Sequence, residues 1–239
     1  MFKILSSLLF DRLPSEEEHC VMIELQNKIS TQIKFDIEKH EHLLKQLHSL
    51  CDVGEYEAVG PSWKECGFQS GDPISDIRGG GTLCLENLIY FLSTSSNISL
   101  NMRRLRSNRA LVIVNGDTVV EDYPWAAASI SITRLLANQM CLTDPLRGST
   151  LEWNQLKPGG FYHLFLEPNA FNRLYCLVFI LFDHEFTRMN ASYLSFPMVL
   201  KHVTSLVENM LQNPSSVHEC AKYVSMRVQG EFQTDIECI

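Results

Sequence analysis

Nine consecutive residues, Leu174-Tyr-Cys-Leu-Val-Phe-Ile-Leu-Phe182, carry neither a charge nor a helix breaker. Whatever this run forms is apolar on every side, so it must be surrounded by other parts of the chain. It is far shorter than the ~20 residues needed to cross a bilayer as a helix. The pattern predicts a core helix over Phe171 to Phe186, and the remaining segments have to supply its partners.

Several segments have the spacing to do so. Phe35, Ile37, Leu43, Leu44, Leu47 and Leu50 recur at helical intervals over 35–51. Leu83 to Leu92, Ala126 to Leu142 and Val199 to Leu211 read the same way, the second after Pro124 and the third after Pro197. Ser15 followed by Glu18 is a capping-box signature for a further helix. Before it, Phe2, Leu5, Leu9 and Leu13 form a short apolar stripe. The Gly- and Pro-containing stretch 52–61 reads as a connection, as do Asp144-Pro-Leu-Arg-Gly and Lys157-Pro-Gly-Gly160. After Asn213-Pro214 the periodicity fades, leaving a short helix over 217–224 and a tail expected to be loosely attached.

One segment resists the helical pattern. Ala110-Leu-Val-Ile-Val-Asn-Gly-Asp-Thr-Val-Val120 places two β-branched runs around Asn115-Gly116. Asn-Gly tolerates the positive φ angles of a two-residue hairpin turn, so 110–120 is predicted as a two-stranded hairpin. The competing helix would have to carry Gly116 and many β-branched residues. The fold class predicted is all-α, a multi-helix domain with one such hairpin. Its expected divisions are N-terminal helices or an extension over 1–34, a domain over 35–212 and a C-terminal tail over 213–239.

Composition narrows the function classes. An apolar share of 45% supports a real core, and a net charge of -8 argues against a general nucleic-acid binder, which needs a basic surface. The eight cysteines are spread along the chain with no CxxC pair and no Cys/His cluster at zinc spacing. Buried, reduced thiols of a cytoplasmic protein are expected, with no metal site and no cofactor. The apolar N-terminus is followed by Asp11-Arg-Leu-Pro-Ser-Glu-Glu-Glu18 where a signal cleavage site would need small residues. Phe2 and the C-terminal residues also exclude N-myristoylation and prenylation signals.

The chemistry concentrates in Trp63-Lys-Glu-Cys-Gly-Phe-Gln-Ser-Gly-Asp-Pro-Ile-Ser-Asp-Ile-Arg-Gly-Gly-Gly-Thr-Leu-Cys-Leu85. It contains no nucleophile–base pair, no paired-carboxylate site and no P-loop order. Gly79-Gly-Gly81 before a helix either marks a tight turn or offers backbone N–H groups to an anion. Arg78 is permanently charged and presents five donors in a planar fork suited to phosphate oxygens. The alternative is that Arg78 pairs with Asp72 or Asp76 and pins the loop.

These residues resemble the ELMO domain. The family pattern is a Trp, three residues, Gly-Phe-Gln, a short spacer, Asp-Pro, then Thr-Asp-x-Arg-Gly-x-Gly and a leucine-rich helix. The chain matches it at Trp63, Gly67, Phe68, Gln69, Asp72, Pro73, Asp76, Arg78, Gly79, Gly81, Leu83, Leu85 and Leu88. Similarity continues at Tyr123-Pro124 through Ile132-Thr133 and at Leu174–Phe182, covering about 35–212. Ser75 replaces the usual Thr and Ile77 the usual Phe, while Cys66 and Cys84 stand at Ile- and Gly-like positions. The segments 110–120 and 143–160 look like additions.

The resemblance has functional implications. The large engulfment-and-motility proteins of the family are scaffolds for Rho-family exchange factors, and the chain has no room for their additional regions. The short members act as GTPase-activating proteins on Arf and Arf-like GTPases, with the motif arginine as proposed finger. This branch implies Arg78 as the catalytic arginine, supplied in trans to a GTPase in its GTP form, in the service of membrane traffic. Gln69, Asp76, Gly79 and Gly81 are the expected partner-binding residues around it. Gln69 is either a second donor or a structural hydrogen bonder, and Asp76 caps the loop or orients Arg78. The alternative is a non-catalytic adaptor that binds a small GTPase or a Rho-family exchange factor. A third reading is a peripheral endomembrane module, using the stripe at 2–13 and Arg103, Arg104, Arg106 and Arg109.

Overall fold

The computed structural model describes residues 11–31, 37–77, 80–95, 97–99, 101–102, 111–114, 117–120, 123–144, 146, 148–228, 236 and 239. Among them are the helices α1 (Glu16–Ser30), α2 (Ile37–Cys51), α3 (Ser62–Glu65), α4 (Pro73–Ile77) and α5 (Gly81–Thr94). They continue with α6 (Trp125–Gln139), α7 (Ala170–Arg188), α8 (Phe196–Met210) and α9 (Val217–Ser225). Three short 3₁₀ turns cover Trp153–Gln155, Tyr162–Leu166 and Tyr193–Ser195.

The apolar run is the axle of this arrangement. Every residue of α7 from Leu174 to Phe182 is buried, and α5, α6, α8 and α9 all pack on it. Full burial of a Leu, Val or Phe side chain contributes about 1.5–3 kcal/mol, which explains why α7 takes the centre. Phe179 sits between Phe91 of α5 and Trp125 of α6, with ring centroids 5.6 and 5.5 Å away. A second aromatic group joins Tyr123, Phe182, Phe186 and Phe196, and the Tyr123 hydroxyl donates to Asp183 Oδ1 at 2.5 Å. Three helices also share one polar ladder within the core. Asn172 Nδ2 donates to Asn87 Oδ1 at 3.0 Å, and Asn87 Nδ2 donates to Thr133 Oγ1 at 3.1 Å. Burial pushes the thiols of Cys84 and Cys220 up to about 12, so both stay protonated as small hydrophobes.

The hairpin strands form as expected. β1 (Leu111–Val114) pairs antiparallel with β2 (Asp117–Val120), with Val114 opposite Asp117. That register leaves two residues for the turn, which is what Asn115-Gly116 favours. Those two residues and the basic cluster at 103–109 lie outside the described residues, as does all of the stripe at 2–13 except its last part, where Leu13 is exposed.

The segments on either side of the expected domain pack onto it. Helix α1 joins the core. Ser15 and Glu18 close the anticipated capping box, and Met22 and Ile29 enter the core as α1 packs on α5. Gln26 Nε2 ties it to the carbonyls of Leu142 and Leu151, each at 3.0 Å. The segment after Asn213 is not loosely attached through α9. Val217, Cys220, Ala221 and Val224 are buried against α7, and Ile236 is buried as well. Glu167 Oε1 accepts the Val217 amide at 2.9 Å, which fixes where α9 begins. The helix is only nine residues long, so its few apolar positions gave too little periodicity to reveal a core role.

Candidate functional site

Trp63 anchors the motif. Its ring is fully buried, with Phe68 edge-on at 5.4 Å and the buried His48 of α2 at 5.1 Å, and its Nε1 donates to the Glu57 carbonyl at 2.8 Å. His48 Nε2 in turn shares a 3.0 Å hydrogen bond with Ser62 Oγ. Trp63 and Phe68 are therefore core residues that hold the loop between them.

Gly67 makes the bend that separates the two. It adopts φ +95°, and a Cβ there would lie 3.0 Å from both the Ala126 nitrogen and Trp125 Cβ. Its carbonyl accepts the Ala126 amide at 2.9 Å. The first amides of a helix have no partner within it, so the motif loop supplies one for α6. This bond brings Gln69 alongside the start of α6.

Beyond Gln69 the loop is built on its own carboxylates. The Gln69 amide donates to Asp76 Oδ2 at 2.8 Å, and the Ile74 amide donates to Asp72 Oδ1 at 3.0 Å. Asp72 thus starts α4, with Pro73 at the first helical position, where its missing N–H costs nothing. Ser70 and Ser75 hydroxyls add bonds to each other and to the Asp72 carbonyl, the latter at 3.0 and 2.7 Å. Ser75 supplies one of the two hydroxyls that this network uses.

Arg78 and Gly79 lie outside the described residues. Their neighbours on both sides are placed: Ile77 is buried in the core, Gly80 is buried, and the Gly80 amide donates to the Ile77 carbonyl at 3.1 Å. Gly81 then has φ +57°, and a Cβ on it would come within 2.0 Å of the Lys28 carbonyl oxygen and 2.5 Å of that of Ile29. This glycine is buried against the end of α1, and that close approach leaves no space for a side chain. Of the other expected partner-binding residues, Gln69 is exposed and Asp76 is half-buried.

One feature was not legible in the motif. An open groove of about 260 Å³ runs beside Gln69. Pro124, Ala127, Ala128 and Ser131 of the α6 start form one side, and Tyr193, Leu194, Phe196 and Pro197 the other. Leu194 is 78% exposed, Met198 57% and Tyr193 43%, an unusual density of exposed apolar residues for six positions. The only sequence signal was a run of apolar residues ahead of Pro197 that belongs to no helical period.

Among the described residues no group of three His, Cys, Asp or Glu gathers to hold a metal, and no helix is long and apolar enough to cross a membrane.

Comparison with known proteins places the chain. It is 30% identical over 216 residues to "ELMO domain-containing protein C" of Dictyostelium discoideum, across 87% of this chain and 32% of that protein. "ELMO domain-containing protein A" of the same organism is 27% identical over 210 residues, covering 82% of this chain and 21% of its own length. Human "ELMO domain-containing protein 2" is 33% identical over 101 residues, 41% of this chain and 30% of that protein. The chain thus spans about a third or less of these relatives. The ELMO/CED-12 family profile matches residues 23–200, beginning inside α1 and ending inside α8. With the match running through the motif, the core helix and most of the helices around it, the chain belongs to the ELMO/CED-12 family.

Proposed function

We propose that this protein stimulates GTP hydrolysis on an Arf-family or Arf-like GTPase by inserting Arg78 into the partner's active site. The observation that carries this reading is the loop frame on either side of position 78. Asp76 is joined to the Gln69 amide, and Ile77 is joined to Gly80 across the two intervening residues. A finger needs a stiff base, because any freedom left in the base must be lost again when the complex forms. The half-buried carboxylates of Asp72 and Asp76 each give one oxygen to a backbone amide of the loop, which supplies that stiffness without a second protein.

The chemistry belongs to the GTPase, which holds the nucleotide and its magnesium. Water attacks the γ-phosphorus, the bond to the bridging oxygen breaks, and negative charge shifts onto the phosphoryl and bridging oxygens. The guanidinium fork donates to those oxygens as the charge develops, an effect on the order of 10³–10⁵ in rate. Gln69 is exposed beside the loop, and in this reading it contacts the GTPase surface.

The test is single-turnover hydrolysis across a panel of GTP-loaded Arf and Arf-like GTPases. At least one should hydrolyse GTP orders of magnitude faster with the wild-type protein than alone, and the Arg78→Ala variant should not accelerate it. Binding of GTP-loaded GTPase without acceleration would replace this reading with that of an adaptor.

A further inference from the structure

We propose that Lys28, in the last turn of α1, is a positioning residue for Arg78, a role that rests on the function proposed above. It braces the start of α5 and so fixes the glycine end of the arginine loop. The two ends of that loop are built differently. Before Arg78 the chain is stiffened by the carboxylates of Asp72 and Asp76 and by the buried Ile77. After Arg78 come Gly79-Gly-Gly81, and three glycines in a row give a backbone its greatest freedom. The Gly80 amide reaches back to the Ile77 carbonyl, and further restraint at Gly81 and Thr82 comes from α1.

Lys28 meets α5 on two successive turns. The last carbonyls of a helix have no partner within it, and that of Lys28 accepts the buried Thr82 hydroxyl at 3.3 Å. One turn further along α5, the Lys28 ammonium donates to Glu86 Oε2 at 2.6 Å. The Lys28 and Ile29 carbonyls also stand so close to Gly81 that a Cβ there would come within 2.0 and 2.5 Å of them. Lys28 is held in its turn. Two residues earlier, Gln26 is tied to the carbonyls of Leu142 and Leu151, so α1 cannot slide along α5 without breaking both bonds. The side chains of Lys28 and Glu86 stay 44% and 29% exposed, and an ion pair of that kind adds little to the stability of a fold. Displacing a catalytic group by about 1 Å can nonetheless cost on the order of 10²-fold in rate. That contrast separates positioning from general support.

Charge reversal in the full chain tests the brace. Lys28→Glu sets two carboxylates against each other, and combining it with Glu86→Lys restores the pair in the opposite sense. Backbone amide exchange over 77–84 in the free protein should quicken about fivefold or more in the single variant and recover in the double one. Both are then titrated against the GTP-loaded GTPase that the wild type accelerates most. The single variant should lower the saturating rate about five- to tenfold, with the half-saturating concentration changed less than about twofold. The double variant should regain the rate, and neither melting temperature should move by more than about 3 °C. Wild-type exchange and rate in Lys28→Glu overturn the brace and leave the activator reading intact. Faster exchange with an unchanged saturating rate overturns the positioning role. So does a lost rate that the double variant fails to regain, or one that comes with a much lower melting temperature, because Lys28 then gives general support only. Should the wild type accelerate no GTPase, exchange that quickens and recovers leaves the brace standing and removes the activator reading, whereas unchanged exchange removes both.

Discussion

The carbonyl of Gly67 accepts the amide hydrogen of Ala126 at 2.9 Å, so a turn in the arginine motif completes the first turn of α6. Two segments nearly sixty residues apart are fixed to each other by one glycine. The same bond sets Gln69 and the groove side by side, and the consequences can be measured.

Gly67→Ala should lower stability by about 1–3 kcal/mol, because φ +95° is strained for any residue with a Cβ and that Cβ would press on Ala126 and Trp125. Gly81→Ala should cost more, since the main-chain carbonyls of Lys28 and Ile29 cannot move aside without displacing α1. Urea unfolding of both variants checks the order. A Gly81→Ala protein as stable as wild type would contradict the packing described at that position.

Arg78→Lys should lose stimulated hydrolysis as fully as Arg78→Ala, since lysine keeps the charge but not the planar fork. If Arg78 acts only in the complex, melting temperature should hardly move in either variant, because a side chain that braces nothing in its own fold contributes within about 0.5 kcal/mol. A thermal melt and a single-turnover assay on the same preparations provide the check. A fall of ~3 kcal/mol together with lost activity would identify Arg78 as a buried structural partner of Asp72 or Asp76.

Truncation after Gln212 should not leave an intact domain. It removes Val217, Cys220, Ala221, Val224 and Ile236 from the core and exposes the face of α7 they cover. Even at about 1–2 kcal/mol for each larger side chain, the loss takes most of a typical domain stability of 5–15 kcal/mol. Circular dichroism melts of the truncated chain should show a strongly lowered or broadened transition. An unchanged melt would restore the reading of a loosely attached tail.

Stability should fall in acid through two carboxylates. The hydrogen bond from Arg12 outweighs burial and holds the Glu18 carboxyl below the usual range, with the Ser15 amide assisting. At Glu185 burial pushes upward, but the hydrogen bond and charge of Arg188, with the charges of His202 and His184, outweigh it and the net shift is down. A carboxyl depressed in the folded state contributes fully above its unfolded value of about 4.3 and loses that contribution as pH falls through the folded value. Urea midpoints between pH 7 and 3 should therefore drop most steeply below about pH 4.5. The drop should be smaller in Glu18→Gln, which keeps an acceptor for the Ser15 amide but has no charge to lose.

Much of this protein was settled by local chemistry that the sequence carries openly. The uncharged run 174–182 could only be a buried helix, and it became α7. Ser15 and Glu18 are three residues apart, so their capping box depends on nothing distant. Asn115-Gly116 between β-branched runs implied the pairing of β1 with β2 because turn geometry and strand preference are both short-range. The motif residues marked the family for the same reason, as a fixed spacing of distinctive side chains.

Tertiary structure alone decided where the described motif residues pack. Gly81 looked like part of a partner-facing glycine run until the end of α1, more than fifty residues earlier, closed over it. The groove needs Gln69, the start of α6 and the turn before α8 together, and no spacing along the chain announces that encounter. Helix α9 became core only because α7 had an apolar face left to cover. Local propensities depend on neighbours a few residues away, whereas burial depends on which surfaces meet, and that is set by the whole chain folding around α7.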